Sequence, residues 1–385
     1  MQTLLPLTRD LVLIGGGHTH ALLLRAWGMR PLAGARLTVI DPDVSAAYSG
    51  MLPGFVAGHY AREDLSIDLV RLARFAGARL VRGAAEGIDL AARTVAVAGR
   101  PPVAFDVLSI DIGITSAMPD LPGFAEHAVA AKPLGPFARR WAAYRAMVAE
   151  PRIAVIGGGV AGAELALAMA HATGARPGAV TVIDRGTALS ALGPRPRARV
   201  LDAFRRLGVR LVEQAAVAEV TAGSVLLADG TEVASDFTVG AAGARPHRWL
   251  AGTGLDLQDG FVRVGPTLQA SDPLVFAAGD CAHLSHAPRP KAGVYAVRAA
   301  PVLHANLRAM LTGRRPLRRW RPQGDYLKLI SLGGKTALAE KAGLPVTGPL
   351  MWRWKDRIDR RFMERLRALP QMDPPRPAEV ALGGP

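Results

Sequence analysis

Short, unbroken apolar runs alternate with helix-like stretches along this chain, and glycine turns separate them. Leu11-Val12-Leu13-Ile14 leads into Gly15-Gly16-Gly17-His18-Thr19-His20, which opens the first helix-like stretch. About one βαβ unit later, Leu37-Thr38-Val39-Ile40 ends in Asp41. The pattern then returns. Ile153-Ala154-Val155-Ile156 leads into Gly157-Gly158-Gly159-Val160-Ala161-Gly162, and Val180-Thr181-Val182-Ile183 ends in Asp184. Runs this short, apolar without alternation and bounded by glycine, predict strands buried on both faces of a parallel sheet. One glycine turn is a weak signal. Two at matching internal spacing, each with its acidic strand end, predict two dinucleotide sites and an electron path between two cofactors.

In such a turn the first glycine makes the tight bend and the second lets backbone approach a pyrophosphate. The third lets helix pack closely on strand, and the strand-end aspartate accepts from a ribose. The second turn has all three, at Gly157, Gly159 and Gly162. The first keeps Gly15 and Gly17, but His20 stands in the third place. That either loosens the helix–strand contact or sets a polar side chain beside the ligand. Asp184 disfavours a 2′-phosphate and favours NADH over NADPH, although the adjacent Arg185 pulls the other way.

Each half also carries a later apolar strand closed by glycine, Phe105–Gly113 and Asp236–Gly243. A third run, Leu274–Ala278, ends in Gly279-Asp280. A strand ending in Gly-Asp before a helix suits a polyol, with the carboxylate on a hydroxyl and the helix start facing phosphate.

At 385 residues the chain has room for two or three domains. No run of about 18 uncharged apolar residues is present, so no membrane span is expected. The first strand begins within about ten residues of Met1, which leaves no room for a signal peptide and favours the cytoplasm. The single cysteine, Cys281, excludes an intrachain disulfide or a Cys-x-x-Cys redox pair and is expected to be a packed core residue. Net charge is +15, almost all of the positive charge being arginine. Coding bias explains part of it. The rest is clustered at Arg314, Arg315, Arg318, Arg319 and Arg321, and again between Arg353 and Arg367. With few aromatics and no nucleic-acid module, the clusters favour a membrane surface over nucleic acid. His18 and His20 lack the spacing and the acidic company of a metal pair, so no metal site is expected.

This order of motifs resembles the two-dinucleotide-binding flavoproteins, the pyridine nucleotide-disulfide oxidoreductase superfamily. Lacking a redox cysteine pair, the chain is more similar to its type II NADH dehydrogenases than to its disulfide or sulfide:quinone reductases. Gly-Gly-Gly-His-Thr-His, Tyr48–Gly54, Ser109–Gly113, Lys132-Pro133, Arg289–Arg298 and Trp352–Met363 further resemble a subfamily often fused to selenide, water dikinase. The chain stops just after these motifs, so no dikinase part is expected. Departures are Ala299, where a glutamine near the flavin is usual, Ile114 in place of a serine, and Leu332-Gly333-Gly334-Lys335 in place of a more polar turn.

The resemblance implies FAD on the first turn and NAD(P)H on the second, NADH being favoured. It assigns Gly15, Gly17, His18, Asp41, Met51, Gly113, Gly279, Asp280, Lys291 and Gly293 to FAD, with Asp280 on the ribityl chain. It assigns Gly157, Gly159, Val160, Gly162, Glu164, Asp184 and Gly243 to NAD. Hydride transfer between two rings needs no nucleophile or general base, so binding residues are expected rather than catalytic ones. The candidates nearest the chemistry are Lys291, facing the flavin pyrimidine, and Glu164, which either points to the nicotinamide or serves the dipole of its own helix. Lys132 is a weaker case like Lys291.

The implied architecture is α/β: two Rossmann-like domains with a small C-terminal α/β segment. The bounds are 1–118 and 236–312 for a discontinuous FAD domain and 150–235 for an inserted NAD(P)H domain. A hairpin from Tyr326 to Ala339 and a basic amphipathic helix occupy 320–372, and 373–385 is a disordered tail. On a helical wheel Met351, Trp354, Ile358, Phe362, Leu366 and Leu369 share one side, with most arginines opposite. Such a helix either lies in a lipid interface or packs on the protein's own body. The expected activity is an FAD-dependent NAD(P)H oxidoreductase with quinone as the leading acceptor, peripheral on the inner face of the cell membrane. Alternatives are a reductase for a selenium or sulfur compound or a protein partner, and a slow NADH-binding flavoprotein sensor. Oligomeric state is not fixed by the sequence.

Overall fold

The computed structural model describes residues 8–174 and 176–370. The expected tail lies outside them. Two five-stranded parallel sheets carry the two glycine turns, and their strand orders correspond. The first runs Val275–Ala277, Val107–Ile110, Arg9–Ile14, Ala35–Asp41, Arg79–Arg82. The second runs Ala128–Ala130, Phe237–Gly240, Ile153–Ile156, Val180–Ile183, Arg210–Val212. In register, Ile14 lies opposite Ile40 and Ile110, as Ile156 lies opposite Ile183 and Gly240. Leu11–Ile14 and Ile153–Ile156 are buried throughout. Sheets covered on both faces have no polar side to alternate with, which is why these strands read as unbroken apolar runs.

Each central strand feeds a helix across its glycine turn, His18–Met29 in the first half and Val160–Thr173 in the second. Both helices begin on a glycine N-cap, Gly17 or Gly159, which has no side chain to cap the helix start. The first helix packs against Leu69–Ala76 and against Gly293–Leu311. Each half also carries a three-stranded antiparallel meander, between Ala85 and Ala104 and between Val217 and Ala234.

Three expectations change. Phe237–Gly240 pairs with Ile153–Ile156 and with Ala128–Ala130, so the boundary expected at residue 236 cuts a strand of the second sheet. That sheet draws on residues from 128 to 240. The hairpin at Tyr326–Ala339 is three-stranded, Lys328–Ser331, Ala337–Lys341 and Leu344–Gly348, because Gly343 at φ +78° turns the chain back once more. Pro349–Arg367 then forms the C-terminal helix. Gly279-Asp280 does not precede a helix directly. Gly279–Cys281 is one tight 3-10 turn leading to the short strand Ala282–Leu284, and the next helix starts at Gly293.

Among the described residues no helix is long and apolar enough to cross a membrane.

Candidate functional site

Both acidic strand ends reach back to the middle glycine of their own turn. Asp41 Oδ2 accepts from Gly16 N at 2.7 Å and Asp184 Oδ2 from Gly158 N at 2.6 Å. Their second oxygens accept from Asp43 N at 2.9 Å and Gly186 N at 2.8 Å. Each carboxylate therefore fixes its own turn. It has lone pairs to spare, since a carboxylate accepts about four hydrogen bonds. Burial raises the Asp41 carboxyl above its ordinary range.

The tight bends are real. Gly15 has φ +90° and Gly157 φ +111°, and a Cβ on either would strike backbone within 2.3 Å or 2.5 Å. Gly162 lies so close to the carbonyl of Gly157 that a Cβ would sit 1.9 Å from that oxygen. Gly159 is different. Its φ is −66°, and nothing lies within 4 Å of an added Cβ. Neither backbone nor packing demands glycine there, whereas an approaching phosphate would. Gly113 and Gly243 share that open space but have φ +72° and +71°, which favour glycine anyway. Val160 is the first residue of the second helix.

His20 turns inward. It is fully buried, with Nδ1 2.7 Å from the Gly15 carbonyl and Nε2 2.8 Å from Ser109 Oγ. The carbonyl only accepts, so Nδ1 carries the proton and Nε2 accepts from the serine. The ring fills the gap that a helix held away from its strand leaves open.

Asp111, within the Ser109–Gly113 motif, lies against the first turn, and its sequence position alone carries no expectation for it. It follows the strand Val107–Ile110 and is 2% exposed. Its Oδ2 accepts from His20 N at 3.0 Å and its carbonyl from Gly17 N at 3.1 Å. Burial pushes its carboxyl up to about 7, and nearby Asp280 adds to the effect. The available signal was an acidic residue ending an otherwise apolar strand.

Asp280 is ion-paired to Lys132 at 3.0 Å. That pair lies near His18, whose imidazole is held below its ordinary value chiefly by burial. His18 sits edge-on to Tyr48 at 5.3 Å and to Phe362 at 5.9 Å. Met51 is buried beside them, and an added Cβ on Gly293 would lie 3.5 Å from His18 Nδ1. Lys291 does not project freely. Its Nζ donates to the Ala282 carbonyl at 2.6 Å and lies 3.8 Å over the Phe261 ring. Ala299 is buried in its helix. Cys281 is buried too, its thiol donating to the Ala278 carbonyl at 3.2 Å and pushed up to about 12 by burial.

Glu164 is not in the first turn of its helix and does not cap it. Its Oε1 accepts from Ser331 N at 2.7 Å, tying the second glycine turn to the C-terminal sheet. Burial pushes its carboxyl up to about 6 against the pull of Lys355.

The C-terminal helix turns differently from its helical wheel. Lys355, Asp359, Met363 and Leu366 face inward, while Leu350, Trp354 and Ile358 are exposed. Lys355 Nζ pairs with Asp359 at 2.6 Å and also donates to the Gly50 carbonyl. Tyr48 donates to Asp359 at 3.0 Å and Tyr60 to Asp356 at 2.7 Å. An ion pair goes inward because the first half supplies its partners, and the displaced apolar residues go to solvent.

Two glycine turns thus lie at the carboxyl ends of two matching sheets. Asp280, Lys132 and His18 are brought together, while Glu164 lies with Ser331 and Lys355. The open approach at Gly159 and the two glycine-capped helix starts fit dinucleotides.

Residues 9–300 match the family model described as pyridine nucleotide-disulphide oxidoreductase. The chain is 32% identical over 293 residues to the nitric oxide reductase FlRd-NAD(+) reductase of Aeromonas hydrophila, covering 71% of each. It is 30% identical over 212 residues to the type II NADH:quinone oxidoreductase of Haemophilus influenzae, covering 48% of this chain and 46% of that protein. Its fold superposes on the sulfide:quinone oxidoreductase from Aquifex aeolicus with a TM-score of 0.74 at 19% identity, covering 94% and 92% of the two chains.

Proposed function

Because the chain belongs to the pyridine nucleotide-disulphide oxidoreductase family and is an FAD- and NAD(P)H-binding oxidoreductase, we propose that it oxidises NADH and passes the electrons to a quinone. The first sheet, with its Gly279-Asp280 turn, is assigned the flavin and the second sheet the pyridine nucleotide. Gly159 carries the assignment of the second site, since a ligand is the one requirement for glycine there. Asp184 supports NADH, because a carboxylate at this strand end repels a 2′-phosphate.

A flavin held there would supply the chemistry, hydride acceptance from a reduced nicotinamide and electron release to an acceptor. The chain's own part is to bind and orient. The helix starts at Gly17 and Gly159 face the phosphates. Asp280, braced by Lys132, is assigned the ribityl hydroxyls. Lys291 is assigned a place at the rim of the flavin site, its charge already turned to Ala282. Glu164 is assigned the nicotinamide side, where its raised pKa makes it a proton carrier near neutral pH.

The quinone reading is supported by the kinship with the Haemophilus enzyme and by the exposed face of the C-terminal helix. Leu350, Trp354 and Ile358 are exposed on it, among the arginines of the same helix, and Leu344 and Val346 are exposed on the strand just before it. Aromatic and aliphatic side chains set in positive charge suit an anionic lipid surface. A second reading, electron delivery to a small redox protein, is favoured by the kinship with the FlRd-NAD(+) reductase, matched over 71% of its length.

Anaerobic mixing of the FAD-loaded protein with NADH tests the first step. Flavin bleaching faster with NADH than with NADPH is expected, and a protein that takes up no FAD sinks the reading. Mixing the reduced protein with a soluble quinone, a rubredoxin-type protein or selenite then separates the acceptors. Reoxidation by the quinone alone supports the first reading, and slow reoxidation by all of them points to a sensor.

A further inference from the structure

The two halves build one turn with different side chains, and the difference falls on one facing pair. In the second half Gly162 meets the strand end at Ala241, whose N–H donates to the Ile156 carbonyl at 2.8 Å. In the first half the matching residues are His20 and Asp111, and the Asp111 N–H donates to the Ile14 carbonyl at 2.8 Å. A methyl group in one half is thus a carboxyl in the other. Asp111 sits against the start of the first helix. An added Cβ on Gly17 would lie about 2.5 Å from both its oxygens, and one on Gly279 would lie 2.2 Å from Oδ1. The helix start that would receive a phosphate in the second half already faces an acidic group in the first.

We propose that Asp111 takes up a proton when the flavin dinucleotide binds, so that the protein holds its flavin more tightly at low pH than at high pH. The inference rests on the reading of the first turn as the flavin site. A carboxylate and a diphosphate sharing one buried helix start repel each other, and the cheaper relief is to neutralise the carboxyl. The neutral acid keeps its carbonyl oxygen on His20 N and becomes a hydrogen-bond donor toward the anion. Asp111 is poised for this, since burial already pushes it up to about 7.

The groups facing Asp111 leave the titration to it. On the first helix, His20 is held down to about 4, and Thr19 donates to the Ala296 carbonyl at 3.0 Å. His18 on the same helix is held below its ordinary value. On the 3-10 turn, Asp280 is paired with Lys132, and the Cys281 thiol is pushed up to about 12.

The test is FAD binding to the flavin-stripped protein, read by quenching of flavin fluorescence from about pH 6 to about pH 9. Proton uptake is read by titration calorimetry in buffers of different ionisation enthalpy. For one coupled proton, Kd rises toward tenfold per pH unit above neutrality, with uptake of up to one proton per FAD. Asp111→Asn abolishes both the slope and the uptake. So does Asp111→Ala, which copies the second half and guards against a folding defect in the first variant. FAD binding without pH dependence or proton uptake in the unsubstituted protein overturns the inference, as does uptake that persists in both variants. Failure of the unsubstituted protein to bind FAD at any pH instead overturns the assignment of the first turn.

Discussion

His20 donates from Nδ1 to the carbonyl of Gly15 at 2.7 Å, bridging the interval that Gly162 and Gly157 close by bare contact in the second half. The bond is a neutral one. Burial holds the imidazole down to about 4, against an ordinary value of 6.5. Between those values the unfolded chain binds a proton that the native one refuses, so this contribution to stability is lost as pH falls from 6.5 toward 4. His20→Ala should cost about 2–4 kcal/mol near neutral pH, from a cavity and an orphaned carbonyl. The gap between variant and parent should narrow as pH falls toward about 5, as read by urea unfolding. A gap constant with pH would sink the neutral-histidine account.

Asp111 runs the other way. The native carboxyl keeps its proton up to about 7, while the unfolded one loses it near 3.8. Its contribution is therefore present at low pH and lost as pH rises through that window. Asp111→Asn should stabilise the flavin-free protein at about pH 8 relative to about pH 5, by a few kcal/mol. Equal melting shifts at both pH values would show that the carboxyl titrates normally.

The two second-turn glycines should separate fold from binding. Gly162→Ala drives a methyl into the Gly157 carbonyl and should cost at least about 2 kcal/mol, with NADH binding lost. Gly159→Ala meets no protein atom and should change stability by within about 1 kcal/mol, the scale of a helix-cap change. It should still weaken NADH at least tenfold, measured by the concentration dependence of flavin reduction. Unchanged NADH affinity would remove the strongest argument for that site.

Asp359→Asn leaves the Lys355 ammonium buried without its carboxylate. It should destabilise the protein by about 3 kcal/mol and expose the C-terminal helix to limited proteolysis. The double change Lys355→Met with Asp359→Leu should recover most of that loss. If the single variant melts with its parent, the pair does not anchor the helix.

Trp354→Ala with Ile358→Ala should leave the melting temperature within a degree or two, both side chains being exposed. Sedimentation with vesicles containing about 30% anionic lipid should fall several-fold, and high salt should weaken what remains. Unaltered vesicle binding would place the contact elsewhere.

Much of the fold was legible because its signals are local. A strand buried on both faces must be apolar throughout, and a bend at φ +90° or +111° needs glycine. A strand-end aspartate finds its backbone donor within one βαβ unit, as Asp41 does at Gly16 and Asp184 at Gly158. Those requirements are met by neighbours in sequence, so the two turns, their helices and their acidic partners could be read off the chain.

What the sequence left open depends on partners far away along it. His20 points inward because Ser109 waits for it, and Asp111 becomes a buried acid because Gly17 and Gly279 close over it. Glu164 leaves its own helix start for Ser331, and Lys291 turns to Ala282. The C-terminal helix shows the rule most clearly. Its wheel sets Trp354 and Ile358 on one apolar side without saying whether lipid or protein covers it, and Tyr48 and Gly50, some 300 residues earlier, turn another side inward by offering a hydroxyl and a carbonyl to Asp359 and Lys355. Periodicity ranks side chains by their own hydrophobicity. Which face is buried is decided by whether a distant surface can satisfy the polar groups brought to it.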